Sequence, residues 1–86
     1  MNYTVRLESS AERDMKRLTH DVLRRVDAKL QSLAREPRPR GVAKLQGSEG
    51  EGFRVRVGNY RILYTIDDGT RTVSVYRVRP RPTAYR

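Results

Sequence analysis

Between residues 53 and 64 apolar and polar side chains alternate strictly. Phe53, Val55 and Val57 mark one run, and Tyr60, Ile62 and Tyr64 mark the next. A period of two is the mark of a half-buried strand. Gly58-Asn59 divides the runs and favours a tight hairpin turn with positive φ. A two-residue loop fixes the register: Val57 faces Tyr60, Val55 faces Ile62 and Phe53 faces Tyr64. Those six side chains form one continuous apolar face, so Tyr60 and Tyr64 read as core. On the other face Arg56 lies opposite Arg61, with Arg54 next along the strand. Directly opposed like charges destabilise a sheet. An anion bound across the pair removes that penalty. The hairpin therefore reads as a packed back and a front that attracts phosphate.

The same reading extends along the chain. Tyr3, Val5 and Leu7 alternate with Thr4 and Arg6 and predict a first strand. Ser9 followed by Glu12 has the spacing of a capping box. Ala11, Met15 and Leu18 then share one helical face, and this short helix ends near Thr19-His20. Thr19 is placed to cap a second helix, with Asp21 in its first turn, where it suits the helix dipole. Val22, Val26, Leu30 and Leu33 form the buried stripe, and Glu36-Pro37 stops the helix. The two helices are expected to form an antiparallel hairpin. Val42–Leu45 predicts a short strand, and Gly47, Gly50 and Gly52 a flexible loop. Asp67-Asp68-Gly69 signals a turn. Residues 72–79 predict a last strand with Val73 and Val75 on one face and Tyr76 and Val78 on the other, as in a strand buried on both sides. Pro80 and Pro82 end regular pairing. The order is β-α-α-β-β-β, a small α+β domain over residues 1–86 with an antiparallel hairpin at its centre.

Composition sharpens the front face. The 86 residues carry 19 basic and 10 acidic side chains, a formal net charge of +9. Residues 1–37 hold eight basic against six acidic residues; residues 38–86 hold eleven against four. A basic patch confined to part of a domain is the electrostatic footprint of nucleic-acid binding. Sixteen of the basic residues are arginine, whose planar fork suits phosphate and stacks on bases. There is no cysteine, hence no disulfide framework and no thiolate metal site. His20 and scattered carboxylates suggest no metal cluster. No long apolar run and no signal-like start appear, which points to a soluble cytoplasmic protein without membrane contact.

These residues resemble the RelE/ParE toxin superfamily, and its RelE-like branch in particular. The resemblance rests on the element order, on Lys44-Leu45-x-Gly47, on the run Phe53-Arg-Val-Arg-Val-Gly-Asn-Tyr-Arg61-Ile-Leu-Tyr64, and on Val78-x-x-Arg81-x-x-x-Tyr85. It implies a four-stranded sheet with two helices on one face and a basic concavity that binds RNA. It also implies the toxin of a type II toxin–antitoxin pair: a metal-independent, cofactor-free endoribonuclease that cleaves mRNA in the ribosomal A site. The partner implied is a RelB-like antitoxin, in a heteromeric complex, wrapping the basic face. Arg54 and Arg56 fall where such nucleases often have lysines. Arg61 matches a phosphate-binding arginine. Arg81 matches a late arginine that stabilises or protonates the leaving group, and Tyr85 a tyrosine that places the nucleotide. Lys44, Arg77 and Arg79 are candidates for further RNA contact. Pro80 departs from the pattern, since related toxins often carry His or Lys before that late arginine.

RNA brings its own nucleophile, the 2′-hydroxyl. A metal-free nuclease must align it with the leaving 5′-oxygen and place positive charge on the phosphorane. Arginines supply charge but keep their protons, with a pKa above ~12. The sequence offers no obvious base: Lys44 or Tyr85 would need a strongly lowered pKa, and His20 belongs to the helical half. Two other readings stay open. A ParE-like gyrase inhibitor shares the fold without catalysis, and an inactive member would act as a binding module.

Overall fold

A computed structural model describes residues 2–81. The chain runs β1 (Thr4–Leu7), α1 (Ser9–Met15), α2 (His20–Arg35), β2 (Ala43–Lys44), a 3-10 turn (Gly47–Glu49), β3 (Phe53–Val57), β4 (Tyr60–Asp67) and β5 (Thr72–Pro80). The sheet has five strands in the order β1-β5-β4-β3-β2, one more than the resemblance implied. Its centre, β2 to β5, is antiparallel. The first strand joins parallel to β5, so the sheet is mixed.

The hairpin register is the one its alternation predicts: Val57 with Tyr60, Arg56 with Arg61, Val55 with Ile62 and Phe53 with Tyr64. Gly58 has φ +58° at the turn. Val55, Ile62 and Tyr64 join Ala11, Val26, Leu30 and Leu33 in one core. Both helices therefore cover the same face of the sheet. Their packing is less symmetric than an αα-hairpin suggests, because α1 lies mainly against β5 while α2 spans β1 and β3.

Three local expectations change. Ser9 does not cap α1. The preceding residue, Glu8, is extended and gives its N–H to Val75 O, so the first strand runs straight into the helix and Ser9 becomes its first helical residue. Thr19 does cap α2, accepting from Val22 N. The glycine-rich segment is ordered by specific bonds rather than open. Gln46 and Glu49 form a reciprocal capping box, and the Tyr76 hydroxyl bonds the backbone of Glu51. Gly52 there has φ +89°, and a Cβ would lie 2.2 Å from Tyr64 O.

The third change sets the site. A β-bulge between Leu63 and Tyr64 shifts the β4–β5 register: Leu63 pairs with Arg77, but Tyr64 pairs with Val75. Tyr76 is the extra residue. A bulge resets the alternation of side chains, so Val73, Val75 and Val78 all reach the helix-covered core. This last strand is not buried alternately on two faces, as its pattern predicted.

Beyond Val75 the outer edge of β5 has no strand beside it, because β1 stops at Leu7. The first helix fills the gap with side chains. Ser10 donates its hydroxyl to Tyr76 O, and Asp14 accepts from Val78 N at 2.9 Å.

Candidate nucleic-acid interface

Strand alternation puts Arg54, Arg56, Arg61 and Leu63 on the face opposite the helices. Arg61 is paired with Arg56 on one side and with Arg79 on the other. Three arginines thus stand in a row across β3, β4 and β5, at strand spacings of ~4.8 Å. Arg81 follows the end of β5, and its N–H donates to Asn59 O at 2.7 Å. That bond folds the chain back beside the hairpin turn. Arg56 consequently sits among cations. Its guanidinium pKa lies below the ordinary arginine value, chiefly through Arg81, then Arg54, with partial desolvation and Arg61 adding to it.

No carboxylate forms a salt bridge with this row among the described residues; the ion pairs are Arg24–Asp21, Arg38–Asp68 and Arg77–Asp14. The Nε of Arg61 is buried without a hydrogen-bond partner there. Each directly opposed like pair costs roughly 0.2–1 kcal/mol in a sheet. The fold thus holds a concentration of positive charge that nothing in the described chain neutralises.

The other predicted site residues divide. Arg79 joins the row directly, although its sequence position alone suggested only peripheral RNA contact. Arg77 is diverted: its Nε and Nη2 donate to Asp14 at 2.8 and 3.2 Å, so it serves as a structural ion pair. Lys44 pairs with Phe53, a residue packed on the core, and so belongs to the helix-side register rather than the arginine face. Tyr85 lies outside the described residues. The bulge is what brings Arg79 beside Arg61, and no local pattern marks it.

Groups able to exchange a proton near neutrality are not found in the row. Burial pushes the Tyr64 hydroxyl up to about 12, and it donates to Pro37 O on the far side of the sheet. His20 opens α2 and is exposed. Among the described residues no three His, Cys, Asp or Glu side chains are grouped to hold a metal ion. The arrangement can bind and polarise an anionic diester, and among the described residues the row offers it no group for proton transfer near neutrality.

The sequence model of the ParE toxin of type II toxin–antitoxin systems matches residues 5–85. This chain belongs to that family. It is a type II toxin–antitoxin toxin of the RelE/ParE superfamily. Toxin RelG of Mycobacterium tuberculosis is 39% identical over 87 residues, covering 100% of this chain and 99% of the relative. The crystal structure of the toxin–antitoxin complex RelBE2, also from M. tuberculosis, contains a chain 38% identical with a TM-score of 0.84, covering 94% of this chain and 100% of that one. A chain of the archaeal RelE–RelB complex from Pyrococcus horikoshii is 27% identical with a TM-score of 0.85, covering 98% and 100%. The α+β architecture found here is that of RelE toxins. Among the described residues no helix is long and apolar enough to cross a membrane.

Proposed function

We propose that this toxin is a ribosome-dependent mRNA endoribonuclease that arrests translation. The observation that carries the reading is the unneutralised row Arg56–Arg61–Arg79 with Arg54 and Arg81 beside it. Five guanidiniums on one exposed face suit a phosphodiester that gains charge as it is cleaved. In this reading Arg61 and Arg56 grip the scissile phosphate, and Arg79 and Arg81 meet the leaving-group side. Fixed donors aimed at developing charge are worth about 10²–10³ in rate each. The 2′-oxygen attacks in line, the P–O2′ bond forming as P–O5′ breaks; water or a ribosomal group takes the 2′-hydroxyl proton, and the leaving 5′-oxygen regains one from the same surroundings. With no neutral base in the row, the protein's own contribution is charge and positioning. The ribosome then supplies the bent message, so activity on free RNA is weak. Tyr85 places the nucleotide, as the resemblance implies.

The partner in this reading is a RelB-like antitoxin, since similar toxins are solved in complex with RelB. Acidic segments of such a partner would neutralise the arginine face. A second reading follows from the family's name: a ParE-like gyrase inhibitor that uses the same cations for binding alone. Purified ribosomes programmed with a defined message separate the two. Cleavage of the message supports the nuclease. Intact message, together with gyrase-dependent DNA breaks in expressing cells, supports the ParE reading.

A further inference from the structure

A cleft of about 280 Å³ opens between the end of α1 and the C-terminal end of β5. It lies near the lower bound of small-ligand sites, ~300 Å³. Leu18, Tyr60 and Pro80 give it apolar walls, and Arg17 and Arg79 line it as well. Neither arginine forms an ion pair among the described residues. Asp14, the one carboxylate in the lining, already takes two bonds from Arg77 and one from Val78 N. Tyr60 is half-buried, and its hydroxyl makes no hydrogen bond to another described residue. The cleft meets the arginine row at Arg79, which lines it and pairs with Arg61.

We propose that this cleft is a nucleotide subsite. It takes the nucleotide adjoining the one whose phosphate lies on Arg56 and Arg61. The base enters against Tyr60 and Leu18, and its phosphate lies on Arg17 and Arg79. The inference rests on the RNA reading above. Arg79 belongs both to the row and to the cleft, so one backbone can pass from the first to the second around the strand edge. Aromatic and aliphatic walls suit a base face, and paired guanidiniums suit a phosphate. The Tyr60 hydroxyl is placed to read a base edge, which makes the cleft a source of sequence preference.

The test uses the purified toxin, titrated with a single-stranded RNA trinucleotide and, separately, with inorganic phosphate, while backbone amides are followed by NMR. RNA is expected to move the amides of Leu18, Tyr60 and Val78 together with those of Arg56 and Arg61. Phosphate, which brings no base, is expected to move Arg56 and Arg61 while Leu18 stays unmoved. Arg17→Ala should weaken the RNA complex at least fivefold with unchanged melting temperature, and Tyr60→Phe should alter which trinucleotide binds best. RNA shifts that leave Leu18 and Val78 unmoved, or parent-strength binding and unchanged preference in both variants, overturn the subsite. So does movement of the cleft amides by an acidic antitoxin peptide but not by RNA. The readout needs no cleavage. A parent that leaves messages intact on ribosomes yet fills the cleft with RNA keeps the subsite and loses the nuclease reading; a parent that cuts while the cleft stays empty does the reverse.

Discussion

Asp14 accepts the backbone N–H of Val78 at 2.9 Å, standing where the neighbouring strand would complete the ladder if it continued. The same carboxylate holds Arg77. One side chain of α1 therefore fixes the part of β5 that leads to Arg79 and Arg81.

Replacing Asp14 should be costly. Its side chain is 11% exposed, and its loss leaves a backbone N–H and a guanidinium without their acceptor. Hydrogen bonds to charged groups contribute about 1.5–3 kcal/mol, so Asp14→Ala should lose about 2–3 kcal/mol in urea denaturation. Asp14→Asn should lose less, because the amide oxygen can still accept from Val78 N. Equal losses in the two variants would mean that charge, not the ladder bond, is what matters.

Acid should weaken the fold through the same group. Burial alone would raise the Asp14 pKa, but the Arg77 guanidinium, the Val78 N–H and Arg17 outweigh it and hold the carboxyl below its ordinary value. Asp68 is held low by Arg38 and Tyr3. A depressed folded pKa gives stability that is complete above the unfolded value, ~3.9, and is lost as pH falls through the folded one. Denaturation midpoints should be flat from pH 5 to 7 and should drop below about pH 4. Asp14→Asn should shallow that drop; an unchanged acid limb would contradict the assignment.

Arg61→Ala should abolish toxicity while the fold survives. The residue is central in the row, and its removal relieves two opposed like-charge pairs. Message cleavage on ribosomes should fall by about 10²-fold or more, with thermal stability equal to or slightly above the parent at low salt. Undiminished growth arrest in a well-expressed variant would defeat the assignment, and an unfolded variant would give Arg61 a structural role instead.

Binding should depend on salt in proportion to the row. Each single-strand phosphate contact contributes a log–log slope of about −0.7. Arg79→Ala should flatten the slope for ribosome or RNA binding by about that amount, whereas Arg77→Ala should leave it unchanged, since Arg77 is held by Asp14. A flat slope in the parent would remove the arginine face as the docking surface.

Arg56→Lys distinguishes charge from proton transfer. Lysine keeps the charge and loses the bidentate fork, so cleavage should fall at every pH between 6 and 9. A single-turnover rate that instead rises with pH in the variant would identify a missing base as the limit. Gly52→Ala tests the frame of the hairpin: a Cβ 2.2 Å from a backbone oxygen at φ +89° has no flexible neighbour to yield, and the variant should fail to fold at 37 °C.

Much of this was legible from side-chain alternation. The hairpin register follows from Gly58-Asn59 and from six apolar residues that agree on one face. The stripe Val26, Leu30 and Leu33 locates α2 as directly. Arg54, Arg56 and Arg61 on one face follow from the same parity. What stayed hidden depends on contacts between distant segments. Nothing near Tyr76 announces a bulge, so Val78 was assigned to the wrong side and Arg79 to the periphery. The Ser9/Glu12 spacing is that of a capping box, yet the demand of Val75 O for a donor and of Tyr76 O for Ser10 decided how α1 begins. The pairing of Arg77 with Asp14 joins residues 63 positions apart.

The bulge at Tyr76 also makes the last strand two strands of opposite parity. Its first half is phased to β1 and the core, and its second half is phased to the arginine row. Pairing Tyr76 with Leu63 instead of bulging it would set Val78 opposite Arg61 and turn Arg79 to the helix side, exchanging the two faces with no change in composition. The binding surface is thus encoded as a count of residues as much as a choice of them. Substitutions at Arg79 and Arg81 can retune the arginine face, but Arg77 is held by Asp14 and Val78 by the core, and the register beyond the bulge must be kept.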